Sequence, residues 1–323
     1  MTGSINYGVT SIMDLWFVDL VGPIVESYSG KRYIQVVMDY KSRRVMVALL
    51  GNKHDAIKSI INMIKKAQTQ TGKTLKRLHG DGGDGGGENI NKELKAYLEG
   101  NGTIFTSTTA HTPQHNPVER VNRTLLDMVK CLLHHAGCPS IFWDEATLLS
   151  VYILSVRISK ADNIKTPHEM WHNNKPSIKH MHVFGCDVFI YTHKSDRNNK
   201  VDATSRKGIF MGCDPNNTSY YRIFDMDNNK FIMTRDVKFF DNDFNNIKRV
   251  SAELDNESSS SSQSSLEFFS FDDYIPSSVS DGDIEQMGRN LATEVNEFID
   301  MYCPASSLGR LSFICHSMGG LIT

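Results

Sequence analysis

The sequence predicts an α/β protein in which a mixed five-stranded sheet with flanking helices precedes a small antiparallel β module. Three observations lead to this fold class. Short β-branched and apolar segments alternate with segments of helical periodicity over the first half of the chain. Residues 183–240 contain short apolar segments separated by Asn/Asp turns. Beyond residue 246 the composition changes to serine and acidic residues, which is typical of a disordered linker.

The order of elements in the first half specifies the sheet more closely. Isoleucines at helical spacing predict a helix over His54–Lys66, and a long helix begins near Pro117, a residue suited to a first helical turn. Three strands, a helix, a strand, a helix, a strand and a helix follow one another, which is the order of an RNase H-like sheet. The five predicted strands are Leu15–Val21, Arg32–Met38, Arg44–Leu50, Thr74–Leu78 and Thr103–Thr108.

The composition predicts four parts of the chain. Residues 1–160 would form the sheet and its helices, and residues 161–245 a connecting segment and the β module. Residues 246–280 would be the Ser/acidic linker, and residues 281–323 contain a last amphipathic helix and an apolar strand. The segment from Phe231 to Phe240 is interpreted as a single strand of the β module.

Charge and cysteine content bear on partners and compartment. The formal net charge is −2, yet between Lys31 and Arg77 the only acidic residues are Asp39 and Asp55, so a nucleic-acid partner is plausible for this part. Six scattered cysteines favour reduced thiols in an intracellular compartment. Because the first residues lack a secretory signal and no apolar run approaches about 20 residues, we expect a soluble nuclear or cytoplasmic protein that is not secreted and has no membrane partner.

Three carboxylates occupy positions suited to metal-assisted phosphoryl transfer, which needs acidic side chains converging from separate elements. Asp19 lies inside the first predicted strand, Asp84 in the Gly-rich stretch after the fourth, and Glu119 in the first turn of the long helix. Each also has a structural interpretation, respectively as a strand-end residue, a turn residue and a helix N-terminal acid. Their combination is more specific than any one of them.

The segments around these carboxylates resemble the integrase catalytic core of copia/Ty1-type retroelements. Asp19 is followed by Gly22 and Pro23, and Asp84 by Gly86, Gly87 and Glu88. Residues 112–125 are TPQHNPVERVNRTL, similar to the helix that carries the family's catalytic glutamate. The resemblance covers roughly residues 14–243 and implies that the β module is SH3-like.

The resemblance also implies a function. Asp19, Asp84 and Glu119 would be the catalytic residues and hold Mg²⁺ or Mn²⁺ for DNA integration, that is 3′-end processing and strand transfer. DNA, both retroelement ends and target, would be the partner of a homo-oligomer. Residues implied to bind nucleic acid are Gln114, Arg120, Asn122 and Arg123.

Some alternatives remain open at this point. Asp81, in an apparently duplicated Gly-rich stretch, is a rival to Asp84 as second ligand, and the chain is one residue shorter than the family just before Glu119. A catalytically inactive, nucleic-acid-binding derivative is therefore an alternative function. A zinc site is a further, less favoured interpretation of four residues that share one helical face, Cys131, His134, His135 and Cys138.

The C-terminal segment suggests a different origin. Residues 311–320, LSFICHSMGG, resemble the strand and nucleophile elbow of lipase-like serine esterases, with Ser317 at the place of the nucleophile. A working elbow needs neighbouring strands and Asp and His partners later in the chain. We therefore interpret residues 281–323 as a truncated α/β-hydrolase fragment and Ser317 as a vestigial nucleophile, with a serine esterase fragment as the alternative function.

Overall fold

A computed structural model describes most of the chain up to residue 260. The described residues are 7–80, 88–107, 117–158, 164–192, 197, 199, 201, 203–214, 217 and 219–260. They divide into two compact units, Met1–Asp127 with Ser150–Ser177 and Met128–Leu149 with Ile178–Thr323. Both unit boundaries in the first half of the chain fall within helices, α3 (Pro117–Ala136) and α4 (Trp143–Val156).

The first unit contains the predicted mixed sheet. Its strands are β1 (Trp16–Val21), β2 (Tyr33–Asp39), β3 (Val45–Leu50), β4 (Arg77–Gly80) and β5 (Ile104–Ser107). Its order is β3-β2-β1-β4-β5, with β1 antiparallel to β2 and parallel to β4. Helices α1 (Ala56–Thr71), α2 (Glu88–Gly100) and α5 (Pro167–His172) belong to this unit. The five-stranded sheet of the RNase H-like prediction is confirmed.

One face of this sheet carries the core of the unit. Trp16 of β1, Val37 of β2 and Leu78 of β4 form one buried cluster with Ile60 and Ile64 of α1. Strand β4 ends at Gly80, two residues beyond the predicted end at Leu78. Glycine has a low strand propensity, but at Gly80 the pairing with β1 and β5 outweighs it.

The second unit contains the predicted antiparallel module. Strands β6 (Asp187–Tyr191), β7 (Ser205–Cys213), β8 (Tyr221–Asp225), β9 (Lys230–Thr234) and β10 (Val237–Phe240) form a sheet in the order β10-β6-β7-β8-β9. The single strand predicted for residues 231–240 is wrong. The chain forms two strands there, of which β9 pairs with β8 and β10 with β6, so residues 235 and 236 carry it from one edge of the sheet to the other.

Helix α6 (Asn245–Ser260) occupies the beginning of the predicted disordered linker, so that prediction is wrong for residues 246–260. Two contacts explain the helix. Ile247 and Val250 are buried at 0% and 9% exposure, and the Asp187 carboxylate accepts hydrogen bonds from the backbone N–H groups of Asn245 (3.2 Å) and Asn246 (2.9 Å). The capping residue, Asp187, belongs to β6, so the sequence next to α6 does not predict this cap.

Several predicted features lie outside the described residues. They are Asp81, Asp84 and Gln114, the linker from residue 261 to 280, and residues 281–323 with Ser317. In the part of the chain that is described, no helix has the length and apolar character needed to cross a membrane.

Candidate active site

Asp19 lies on β1, the central strand of the first sheet. It is half-buried and pairs with Val36 of β2. On the other side of β1, the parallel register places Val18 beside Gly80, the last residue of β4. A Cβ atom on Gly80 would lie 2.8 Å from Cγ1 of Val18, so a glycine is what lets the two strands approach at this level. The end of β4 therefore stands next to Asp19.

Asn122 of α3 holds the Asp19 carboxylate. Its amide Nδ2 donates a hydrogen bond of 2.7 Å to Asp19 Oδ2, while the backbone N–H of Leu20 donates to Oδ1 at 2.8 Å. Asn122 is only 8% exposed. Its other amide atom, Oδ1, is buried and has no hydrogen-bond partner in the described structure. These two donors orient the carboxylate.

Glu119 lies one helical turn before Asn122 on α3. Residues three apart on a helix are neighbours on its surface, so the contact between Asn122 and Asp19 also brings the first turn of α3 to the carboxylate of β1. Glu119 is exposed, as are Arg120 and Arg123. Two of the three predicted acidic residues thus belong to elements that meet at Asn122.

The position of Asn122 differs from the sequence-based expectation. We expected a nucleic-acid contact, but the side chain is buried and its only amide donors lie beside the Asp19 carboxylate. The residue type was compatible with either role, since an amide can bind a phosphate or a carboxylate. Arg120 and Arg123, in contrast, have the exposure that a DNA contact requires.

Asp39, the last residue of β2, carries a buried carboxylate whose role the sequence did not reveal. It is fully buried, and its carboxylate accepts four hydrogen bonds. The donors are the backbone N–H of Met13 (2.9 Å), Nε1 of Trp16 (3.1 Å), and the N–H (2.8 Å) and hydroxyl (2.7 Å) of Ser42. The sequence DYKSR at residues 39–43 is similar to a segment of the related family, but it did not predict the hydrogen bonds that Asp39 accepts.

The structure also bears on the zinc interpretation of Cys131, His134, His135 and Cys138. Among the residues that the structure describes, no three His, Cys, Asp or Glu side chains come together as a possible metal site. Burial, followed by the charge of Asp144, raises the pKa of the Cys138 thiol far above its ordinary value. His135 makes an edge-on ring contact with Phe244 at 5.4 Å. Packing within the second unit accounts for both side chains.

Comparison with protein families gives two matches. Residues 186–252 match the retroviral polymerase SH3-like domain, a span that includes β6–β10 and the first part of α6. Residues 239–323 match the serine esterase family DUF676. The two matches agree with the SH3-like module and with the esterase-like C-terminal fragment expected from the sequence.

Comparison with known proteins gives relatives in plant retrotransposons. The chain is 32% identical over 248 residues to the retrovirus-related Pol polyprotein from transposon TNT 1-94 of Nicotiana tabacum, covering 76% of this chain and 18% of that protein. It is 23% identical over 240 residues to the Pol polyprotein from transposon RE1 of Arabidopsis thaliana, covering 73% of this chain and 16% of that protein. The chain thus spans less than a fifth of the length of these relatives.

Comparison with solved structures gives, among others, the HTLV-2 integrase catalytic core domain in complex with magnesium, in its trimeric form. It is 18% identical and covers 50% of this chain and 98% of that chain, with a TM-score of 0.38. The sequence relationship to the tobacco Pol polyprotein extends over 248 residues, 76% of this chain. The chain is therefore homologous to a segment of the Pol polyproteins of copia-type retrotransposons.

Proposed function

We propose that this chain is a retrotransposon integrase, a polynucleotidyl transferase that processes 3′ ends of retroelement DNA and joins them to target DNA. The observation that carries the proposal is the hydrogen bond from Asn122 to Asp19, which brings the helix of Glu119 to the central strand. Homology to the Pol polyproteins supports the same activity. A homo-oligomer and a DNA partner are parts of this proposal.

The described residues suit a hard divalent cation. Asp19 and Glu119 supply carboxylate oxygens, which Mg²⁺ and Mn²⁺ prefer. The buried Oδ1 of Asn122 is a further oxygen without a hydrogen-bond partner in the described structure, immediately beside Asp19. When bound, the metal supplies positive charge at the reacting phosphate and lowers the pKa of the attacking hydroxyl. The expected ion is Mg²⁺ or Mn²⁺.

The protein's own groups would orient the Asp19 carboxylate and position the DNA. Leu20 N–H and Asn122 Nδ2 keep the Asp19 carboxylate in one orientation, so that little reorganisation is needed during the reaction. Arg120 and Arg123 are exposed on the first two turns of α3 and would contact phosphates, which positions DNA without reading its sequence. Gln114 is proposed to act with them.

The second ligand is a choice between Asp84, preferred from the sequence, and Asp81. The register of β4 favours Asp81. Gly80 stands beside Val18, and consecutive Cα atoms are about 3.8 Å apart. Asp81 directly follows Gly80 in the sequence, whereas Asp84 is four residues beyond it. We therefore propose Asp19, Asp81 and Glu119 as the ligand set, with Asp84 as the alternative.

The test is Mg²⁺-dependent joining of labelled DNA ends to a plasmid by the full chain, with Asp19→Asn, Asp81→Asn, Asp84→Asn and Glu119→Gln variants. We expect joining by the wild-type chain and by Asp84→Asn, and a loss of at least about a hundred-fold for the other three. Loss in Asp84→Asn with activity in Asp81→Asn would restore the sequence-based assignment. DNA binding by the wild type without joining at any Mg²⁺ or Mn²⁺ concentration would favour the catalytically inactive alternative.

A serine esterase activity is the second candidate, since residues 239–323 match that family. Hydrolysis of a short-chain ester that disappears in Ser317→Ala would support it. Absence of ester hydrolysis by the full chain, or hydrolysis that survives Ser317→Ala, would count against it.

A further inference from the structure

The turn between β2 and β3 exposes positive charge close to the candidate active site. It contains Lys41, Arg43 and Arg44, and Lys41 is exposed while Arg43 is half-buried. Arg43 has a positive φ of 58°, a left-handed conformation that non-glycine residues rarely adopt. Such a conformation persists only where the surroundings hold it, and it is concentrated at functional positions.

Asp39 holds the turn in this conformation. Its buried carboxylate accepts hydrogen bonds from Ser42, from Met13, which precedes β1, and from Trp16, the first residue of β1. The backbone closes the same turn, since Arg43 N donates to Asp39 O at 2.9 Å and Asp39 N donates to Arg44 O at 3.0 Å. The carboxylate is used for these hydrogen bonds, and Arg43 makes no ion pair with it.

Arg43 is placed by an aromatic ring. Its guanidinium carbon lies 4.4 Å from the centre of the Tyr40 ring. The Tyr40 ring packs edge-on against Tyr7, with centroids 5.1 Å apart, and lies tilted against Phe17 at 5.9 Å. Phe17 precedes Asp19 by two residues on β1, so both side chains point to the same face of the sheet. Arg43 therefore lies on the face that carries Asp19.

Within the described structure the Arg43 guanidinium makes neither a hydrogen bond nor a salt bridge, so its N–H donors remain available. An arginine whose plane is fixed by stacking while its donors stay available is suited to phosphate, whose oxygens match the guanidinium fork. Tyr40 N donates to Leu15 O, four residues before Asp19. At about 3.3 Å per residue, the platform is about 13 Å from the acidic site.

We propose that Arg43, held on the Tyr40 ring, binds a backbone phosphate of the DNA several nucleotides away from the phosphate that reacts. This inference rests on the proposed DNA-joining function and adds an anchoring contact on the Asp19 face of the sheet. Because the contact is remote from the reacting phosphate, it strengthens binding without taking part in the chemical step.

The experiment is a salt titration of DNA affinity for the full chain with a labelled mixed-sequence duplex, using Arg43→Gly as the variant. Glycine adopts the left-handed conformation readily, so the turn keeps its shape and the melting temperature is maintained. Lys58→Gln is the matched control, because Lys58 is an exposed cation on α1, which packs against the opposite face of the sheet. Tyr40→Phe, which retains the ring, is a second control.

We expect Arg43→Gly to weaken binding several-fold and to reduce the slope of log affinity against log salt by about one, the effect of one lost phosphate contact. Both controls should keep the wild-type slope. Equal slopes for wild type and Arg43→Gly, or an equal reduction in Lys58→Gln, would overturn the inference while leaving the integrase proposal intact. No DNA binding by the wild type would instead refute the DNA partner itself.

Discussion

Asn122 of α3 donates a hydrogen bond of 2.7 Å to the carboxylate of Asp19 on β1, across 103 residues of sequence. The bond joins the strand and the helix that carry two of the candidate catalytic acids. It also makes Asn122 a positioning residue rather than a ligand for substrate, since the side chain is 8% exposed.

Replacing Asn122 by leucine should lower DNA joining and Mg²⁺ affinity together. The Asp19 carboxylate would lose the Asn122 donor and rotate more freely, and loss of such a supporting bond typically costs about 10–100-fold in metal affinity or activity. The measurement is the Mg²⁺ concentration that gives half-maximal joining. Thr124→Ala, whose hydroxyl donates only to the backbone of Arg120, should leave it unchanged. A reduced rate at an unaltered Mg²⁺ requirement would argue against positioning.

The second unit depends on a buried ion pair between Glu145 and Arg222. Glu145 is 2% exposed, and Arg222 Nη2 donates to its Oε1 at 2.7 Å while a second donor, Nε, reaches Oε2. Burial raises the pKa of Glu145, and the Arg222 guanidinium opposes that rise. Arg222→Met should therefore destabilise the unit by about 3–5 kcal/mol, because an uncompensated carboxyl group remains inside.

Urea denaturation followed by the fluorescence of the buried Trp143 would measure this change. Arg235→Ala is the control. Arg235 is 70% exposed and lies 4.0 Å from Asp236, so we expect a change within about 0.5 kcal/mol. Replacing Glu145 and Arg222 together by methionine should recover much of the lost stability; a double variant as unstable as Arg222→Met would show that the pair is not what matters.

Stability of the first unit should fall as the pH drops from about 6.5 to 4. Burial, then the charges of Arg44 and His168, lower the pKa of His172 from 6.5 to about 4. Arg44 Nη1 lies 3.2 Å from His172 Nε2, which suits a neutral imidazole that accepts the bond. The folded state therefore resists protonation that the unfolded chain accepts below pH 6.5, and stability present above that pH is progressively lost until the folded pKa is passed.

His172→Gln should make the melting temperature less dependent on pH in this window. The exposed His54 provides the control, since His54→Gln leaves the Arg44 contact in place. His79 and His168 of the same unit also have pKa values lowered mainly by burial, so we expect the dependence to be reduced and not abolished. A His172→Gln profile parallel to the wild type would contradict the assignment.

Helix α6 should depend on its cap from β6. Asp187→Ala removes the carboxylate that accepts from Asn245 and Asn246, and loss of an N-cap costs about 1–2 kcal/mol. Amide hydrogen exchange at residues 247–250 should become faster. Asp227→Ala, at an exposed turn position, is the comparison that should show no change. Unchanged protection in Asp187→Ala would mean that the buried Ile247 and Val250 suffice to hold the helix.

The sequence by itself determined the elements and their order. Periodicity located the strands of the first sheet and the helix from Pro117, because side chains that alternate in polarity every two or 3.6 residues leave a local record. The segments around Asp19 and Glu119 similarly identified the relationship to copia-type elements, which the 32% identity to a Pol polyprotein confirms. These features depend on residues close together in the chain.

Only the tertiary structure decided the partners of those elements. The pairing of β10 with β6, the cap that Asp187 places on α6, and the bond between Asn122 and Asp19 all join residues more than 45 positions apart. The residues next to Asn122 in the sequence do not show whether its amide is buried beside a carboxylate or exposed to bind a phosphate. Burial and hydrogen bonding between distant segments distinguish them, because an amide sealed from water must find its partner within the fold.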